Sequence, residues 1–244
     1  MRFPAPWARR ILAATLLLIG AGWVTAKSSQ YLFRSRAEKL FTDFQTIQVS
    51  RASTGDAQAL LRRWARYGSV INNCDANTCR MELSIDQTLP AFFCGQPENG
   101  IRNIPPILAD FLGFRNEGVG FDVVAENGIV IGKGFGLDVA LPVVEWHWWH
   151  KSYIPDLAVW SSEVTKFAES TRLNPSHPFR TARNVSGVYG MTITFTPEEA
   201  AAEQAELMHF RFSCLTQFLP CQNFGEILPE GWRTLQQDYP ELQK

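Results

Sequence analysis

Glu145, His147 and His150 fall within six residues of one another in EWHWWH, beside Trp146, Trp148 and Trp149. Imidazole and carboxylate groups at that density are the material of a metal site or a proton relay. The local run VVEWHWW is β-branched and aromatic, which favours a strand. On a strand, Glu145, His147 and Trp149 share one face, and Trp146, Trp148 and His150 the other. Histidines on opposite faces cannot share one ion, so the reading carries no metal. A helix would bring positions i and i+3 together, but the composition argues against one. The stretch therefore reads as aromatic packing near a sheet end, or as a binding surface made of Trp146, His147, Trp148, Trp149 and His150. Exposed indoles there would suit a ligand, a sugar ring or a membrane interface.

Nucleophilic chemistry is less visible. The chain has no G-x-S-x-G, H-E-x-x-H, Walker or kinase signature. What remains is scattered: His147, His150, His177 and His209, with Asp122, Asp138 and Glu145 as acidic partners for them. A catalytic group is a matter of geometry and not of sequence order, so a hydrolase with a His/acid site stays open. His177 lies in the turn NPSHPF and reads as plain surface. Nothing in the sequence calls for a cofactor.

Five cysteines form two close pairs and a singleton. Cys74 and Cys79 bracket CDANTC, and Cys214 and Cys221 bracket CLTQFLPC. In an oxidising compartment each pair would close a small loop, contributing about 2 kcal/mol by chain entropy. A zinc site built from both pairs is the competing reading, and the six-residue spacing of the second pair fits it poorly. Cys94, in the apolar FFCGQ, reads as a buried free thiol, because a nucleophilic cysteine needs a base and an electropositive setting. Asn184-Val185-Ser186 is a glycosylation sequon, relevant only in a eukaryotic secretory pathway.

The elements that must position these residues begin with an apolar run, ILAATLLLIGAGWVTA, from Ile11 to Ala26 behind Arg2, Arg9 and Arg10. Its sixteen residues would span roughly 24 Å as a helix. It reads either as a membrane anchor or as a cleaved signal with Val24-Thr25-Ala26 at the cleavage site. Phe33, Ala37, Leu40, Phe41, Phe44 and Ile47 then keep helical spacing, so residues 27–50 read as an amphipathic helix or stalk. Lys and Arg flank the run on both sides, so the positive-inside rule does not set its orientation. Paired cysteines and the signal-like run place the body outside the cytoplasm, anchored to the membrane or secreted. A net charge of −1 offers no basic surface for nucleic acid.

Residues 51–244 read as one α+β domain with a mainly antiparallel sheet and several helices. Ser53-Thr54-Gly55-Asp56 starts a helix that Gly68 ends, and Arg62, Arg63 and Arg66 lie on its outer face, solvated or facing acidic lipid. Arg80–Ile85 alternates as a strand. Pro105-Pro106 opens a further helix. Asn127-Gly128 between alternating apolar runs marks a hairpin. Gly132, Gly134 and Gly136 all fall on one face of its return strand, which is thinned so that another element or a ligand can come close. From Ser186, SGVYGMTITF alternates as a strand. Thr196-Pro197-Glu198-Glu199 reads as a capping box, His209–Phe212 as a last strand, and Leu228–Trp232 as the start of a C-terminal helix or turn.

Four stretches, SRAEKLFTDFQTIQV, DAQALLRRWARYG…CDANTCRMELSI, GMTITFTPEEA and FRFSCLTQFLPCQNFGEILPEGW, together resemble a group of uncharacterised single-anchor proteins of fungi and soil bacteria. The resemblance implies that Cys74, Cys79, Cys214 and Cys221 are the group's cysteines and Cys94 an addition. It brings no activity with it, and EWHWWH is not part of the shared pattern. The expected function is thus a membrane-anchored or secreted domain that binds a protein or small-molecule partner through an aromatic surface.

Overall fold

The computed structural model describes residues 6–87, 117–140, 156–165, 179–183, 189–198, 200–217, 221 and 223–238. A single helix, α1, runs unbroken from Pro6 to Gln45. Its character changes at one residue. Trp23 is 46% exposed and Leu16, Leu17 and Leu18 more so, whereas Ala26 is 1% exposed. From there Gln30, Phe33, Ala37, Leu40, Phe44 and Ile47 are buried. Spacings that alternate between three and four residues make one stripe down the helix, and that stripe lies on the sheet. Within residues 27–50, expected as an amphipathic helix or stalk, this stripe supplies one wall of the core.

The sheet has seven strands in the order β1-β2-β3-β4-β5-β7-β6. They are β1 (Ser69–Cys74), β2 (Thr78–Asp86), β3 (Glu117–Glu126), β4 (Ile129–Ala140), β5 (Asp156–Val164), β6 (Phe179–Arg183) and β7 (Tyr189–Phe195). All neighbours are antiparallel except β5 and β7. The β3–β4 hairpin turns at Asn127 (φ 51°) and Gly128 (φ 85°), the left-handed pair its two-residue loop demands. The fold is α+β, as the sequence pattern indicates.

The described helices pack on one face of the sheet. Phe44 of α1 meets Phe121 and Phe135, and Phe210 and Phe212 close on Phe135 from the C-terminal segment. α2 (Thr54–Trp64) starts with a capping box: Ser53 Oγ accepts from the Asp56 amide and Asp56 Oδ2 accepts from the Ser53 amide. Its Arg62 and Arg63, and Arg66 just beyond its end, are exposed, with Arg63 paired to Asp43 and Arg66 over the Tyr67 ring. A short 3-10 turn (Ala65–Tyr67) then ends at Gly68. At the other end of the chain come α3 (Ala201–Leu207), α4 (Phe224–Ile227) and α5 (Pro229–Asp238).

Two expectations fail here for stated reasons. His209–Phe212 is not a strand: Phe210 and Phe212 alternate because both plug the Phe135 cluster, and Phe212 opens a 3-10 turn to Leu215. Thr196–Glu199 does not cap a helix. Pro197 and Glu198 form a turn whose Pro197 carbonyl accepts from Gln204 Nε2, and α3 begins later, after Ala200.

Both expected disulfides are present, Cys74–Cys79 with Cα atoms 4.0 Å apart and Cys214–Cys221 with Cα atoms 5.3 Å apart. The first joins directly opposed residues at the end of the β1–β2 ladder. The second holds a loop whose Thr216 and Gln217 carbonyls accept from Lys27 Nζ, where α1 enters the body.

Candidate functional site

The face of the sheet away from the helices is uncovered among the described residues, and its register makes a furrow. One row across the strands reads Ser69, Ser84, Gly120, Gly136, Trp160, Thr192; the next reads Ile71, Glu82, Asp122, Gly134, Ser162, Thr194. Gly120 and Gly136 leave the middle of the first row without side chains and Gly134 leaves a gap beside Asp122 in the second, so side chains of β2 and β5 rise on either side of a floor rich in glycine. The result is a groove of about 320 Å³ lined by Arg80, Glu82, Ser84, Asp122, Asp138 and Trp160 among others. That is the low end of the size range of small-molecule sites.

Trp160 crosses from β5 onto β4. A Cβ added at Gly136 would fall among its Cε3, Cζ3 and Cδ2 atoms, and one at Gly134 would meet its Nε1. Atoms of the six-membered ring thus lie against Gly136 and the pyrrole nitrogen against Gly134, in the space their missing side chains leave. This is what the thinned face of β4 is for: the close approach expected of another element is made by an indole. The same added Cβ at Gly134 would also meet Asp122 Oδ1 and Ser162 Oγ, so three polar atoms converge over that residue.

Asp122 is the unusual ionisable group. Its Oδ1 is buried without a hydrogen-bond partner. Burial pushes its pKa up from the ordinary carboxylate value; Arg80 opposes this and Glu82 adds to it. Arg80 is itself engaged, with Nε 2.6 Å from Glu82 Oε1. Asp86 and Asp138 flank Gly118 at the rim. Among the described lining residues Glu82, Asp122 and Asp138 outnumber Arg80, so this lining is acidic.

The sign of the pH effect follows from the direction of that shift. A carboxyl with a raised folded-state pKa favours the fold while it is protonated, below its unfolded value of about 3.9, and loses that contribution as pH rises through the folded value. Asp122→Asn is therefore expected to raise stability at neutral pH and to flatten the decline of stability above about pH 4. Urea unfolding at a series of pH values checks this; a variant as pH-dependent as the parent would remove Asp122 as the cause.

A somewhat larger hollow, about 370 Å³, lies between the end of α1 and α2. Both halves of its acid–base pair are already used: Asp56 by the cap of α2, which holds its pKa below the usual range, and Arg63 by Asp43. It makes the weaker site despite its size.

The residues singled out from sequence divide cleanly. Asp122 and Asp138 stand on the groove face. His209 is exposed beside Phe210, on the helix-covered side, so the sheet separates it from both carboxylates. Glu145, Trp146, His147, Trp148, Trp149, His150, His177, Cys94, Asn184 and the helix expected at Pro105-Pro106 lie outside the described residues. Among the described residues no group of three His, Cys, Asp or Glu side chains is placed to hold a metal ion. Trp160 was not read from sequence at all. Its one available signal was an aromatic in DLAVWSSEV that pairs with the glycine run, and pairing is a tertiary fact.

Comparison of the chain with protein-family models, with curated proteins and with solved structures returns no match. The likeness to the single-anchor group rests on the sequence stretches alone.

Proposed function

We propose that this chain is a membrane-anchored extracytoplasmic domain that binds a ligand in the groove of its uncovered sheet face. The observation that carries the anchor is the change from exposed to buried at Ala26 within one continuous helix. From Trp7 to Thr25 the helix covers roughly 28 Å, close to a bilayer's hydrocarbon depth, and it is long and apolar enough to cross one. Trp7 and Trp23 sit near its two ends, where indoles favour the membrane interface. Two disulfides support an oxidising surrounding for the body. Gln87 Nε2 donates to Ser29 Oγ, so the end of the sheet where β2 finishes and β3 begins lies next to the anchor.

Secretion after cleavage at Ala26 is the other reading of the same boundary, because the body keeps its contacts from Lys27 onward. Native alkylation with intact-mass measurement, on carbonate-washed membranes, separates the readings. The expected result is a full-length chain in the membrane pellet with at most one reactive thiol, Cys94. A soluble chain starting at Lys27 replaces the anchor with secretion. Five reactive thiols would refute the extracytoplasmic assignment.

A hydrolase is the runner-up, favoured by one observation: Asp122, a buried carboxyl held toward its protonated form in a groove, has the property of a general acid.

A further inference from the structure

The geometry points to a neutral sugar ring as the ligand of the groove, stacked on Trp160 and hydrogen-bonded over Gly134. This rests on the reading of the chain as a binding domain and names what it binds.

The platform comes first. Gly134 and Gly136 let the Trp160 indole pack directly against the β4 backbone, and the same indole lines the groove, so it is braced by the sheet where a ligand would meet it. Neither glycine tolerates a side chain without moving the indole. A ring held this way is rigid, and a rigid aromatic face binds at low entropic cost.

The polar rim comes next. It alternates in kind. Asp122 and Glu82 accept; Trp160 Nε1 and Arg80 donate; Ser84 and Ser162 do both. A hydroxyl also does both, so a polyhydroxylated ring with an apolar C–H face satisfies this rim in more than one setting. The buried Asp122 Oδ1 lacks a partner, and it lies beside Trp160 Nε1 over the same glycine. A buried acceptor left unmade is costly, and a ligand hydroxyl placed there removes that cost.

Charge selects among rings. Among the described residues that line the groove, Glu82, Asp122 and Asp138 stand against Arg80, which is already paired with Glu82. Phosphorylated or carboxylated sugars would meet repulsion. The groove volume of about 320 Å³ confines the contact to a few atoms beyond one ring.

The test is calorimetric titration of the full-length chain in a detergent without a sugar headgroup. The probes are maltotetraose, cellotetraose, chitotetraose, glucose 6-phosphate, adenosine and choline. At least one neutral oligosaccharide is expected to bind saturably, and glucose 6-phosphate not at all. Trp160→Ala should weaken that binding at least about tenfold, equivalent to ~1.4 kcal/mol. Trp160→Phe should retain part of it. Gly136→Ala should weaken it too, with circular dichroism showing the chain still folded, because the indole is displaced and not removed. Asp122→Ala should weaken binding several-fold by losing the acceptor. Choline or adenosine binding that depends on Trp160, without saccharide binding, overturns the ligand class and leaves the groove as the site. Binding of no probe, or binding indifferent to Trp160, overturns the groove itself. Neither result touches the anchor, which fractionation and alkylation decide separately.

Discussion

Lys133→Met is expected to cost the fold about 3–5 kcal/mol, the range for breaking a buried ion pair from one side. Lys133 projects from β4 to the helix-covered face and is 8% exposed. Its Nζ donates to the Ile47 carbonyl at 2.5 Å, stands 3.3 Å from Glu163 Oε2, and lies 5.4 Å from the Phe44 ring centroid. One ammonium thus joins the loop after α1, the core ring of α1 and strand β5. Removing it leaves a carboxylate in a largely dry site and a carbonyl without its donor. Urea unfolding should show a lower midpoint with an unchanged slope. The double variant Lys133→Met/Glu163→Leu should recover more than half of the loss, because it deletes the stranded charge. A single variant within 1 kcal/mol of the parent, in place of the expected ~3–5 kcal/mol, would show the pair to be solvated. The consequence reaches the groove: this contact fastens the C-terminal end of α1 to the strand that carries the glycine floor.

Phe135→Ala is expected to cost about 3–5 kcal/mol as well, through cavity formation. Phe135 is fully buried and sits among four other rings: Phe41 at 4.8 Å, Phe210 at 5.3 Å, Phe44 at 5.5 Å and Phe212 at 6.2 Å between centroids. Its neighbours come from α1 and from the segment after α3, so no single element can shift to fill the void. The C-terminal segment should loosen first. Limited proteolysis after Arg211 is expected to speed up in the variant before the sheet itself unfolds. Ile71→Ala, at a 49% exposed position on edge strand β1, should by contrast change stability by less than about 0.5 kcal/mol. Equal losses at the two positions would mean the ring cluster is not the core's centre.

How much of this could be read in advance depended on whether the signal was local. The cap of α2 depends on Ser53 and Asp56 three residues apart, and the β3–β4 turn on Asn127-Gly128. Both are short-range geometries with specific side chains, and both were legible. The stripe from Phe33 to Ile47 was legible as a helix face but not as a core wall, since periodicity says a face is apolar and not what it meets. β1 was invisible: all six residues of SVINNC are exposed, so it lacks the alternation that marks a half-buried strand. The false strand at His209–Phe212 shows the reverse error, because two phenylalanines aimed at one cluster copy that alternation without any pairing.

The groove divides in the same way. Gly132, Gly134 and Gly136 announced an approach without naming what approaches. Gly118 and Gly120 on β3 complete the floor, and only the antiparallel register sets Gly120 opposite Gly136 and Asp122 opposite Gly134. By itself the sequence determined the apolar N-terminal run, the cysteine pairs, the α+β class and the hairpin, because each is written in composition or in neighbours a few residues apart. The tertiary structure alone decided that Trp160 lies on Gly136, that Asp122 is buried beside it, and that Lys133 reaches Ile47. Strand pairing and helix docking bring together residues that are tens of positions apart, and no local pattern encodes which residues those are.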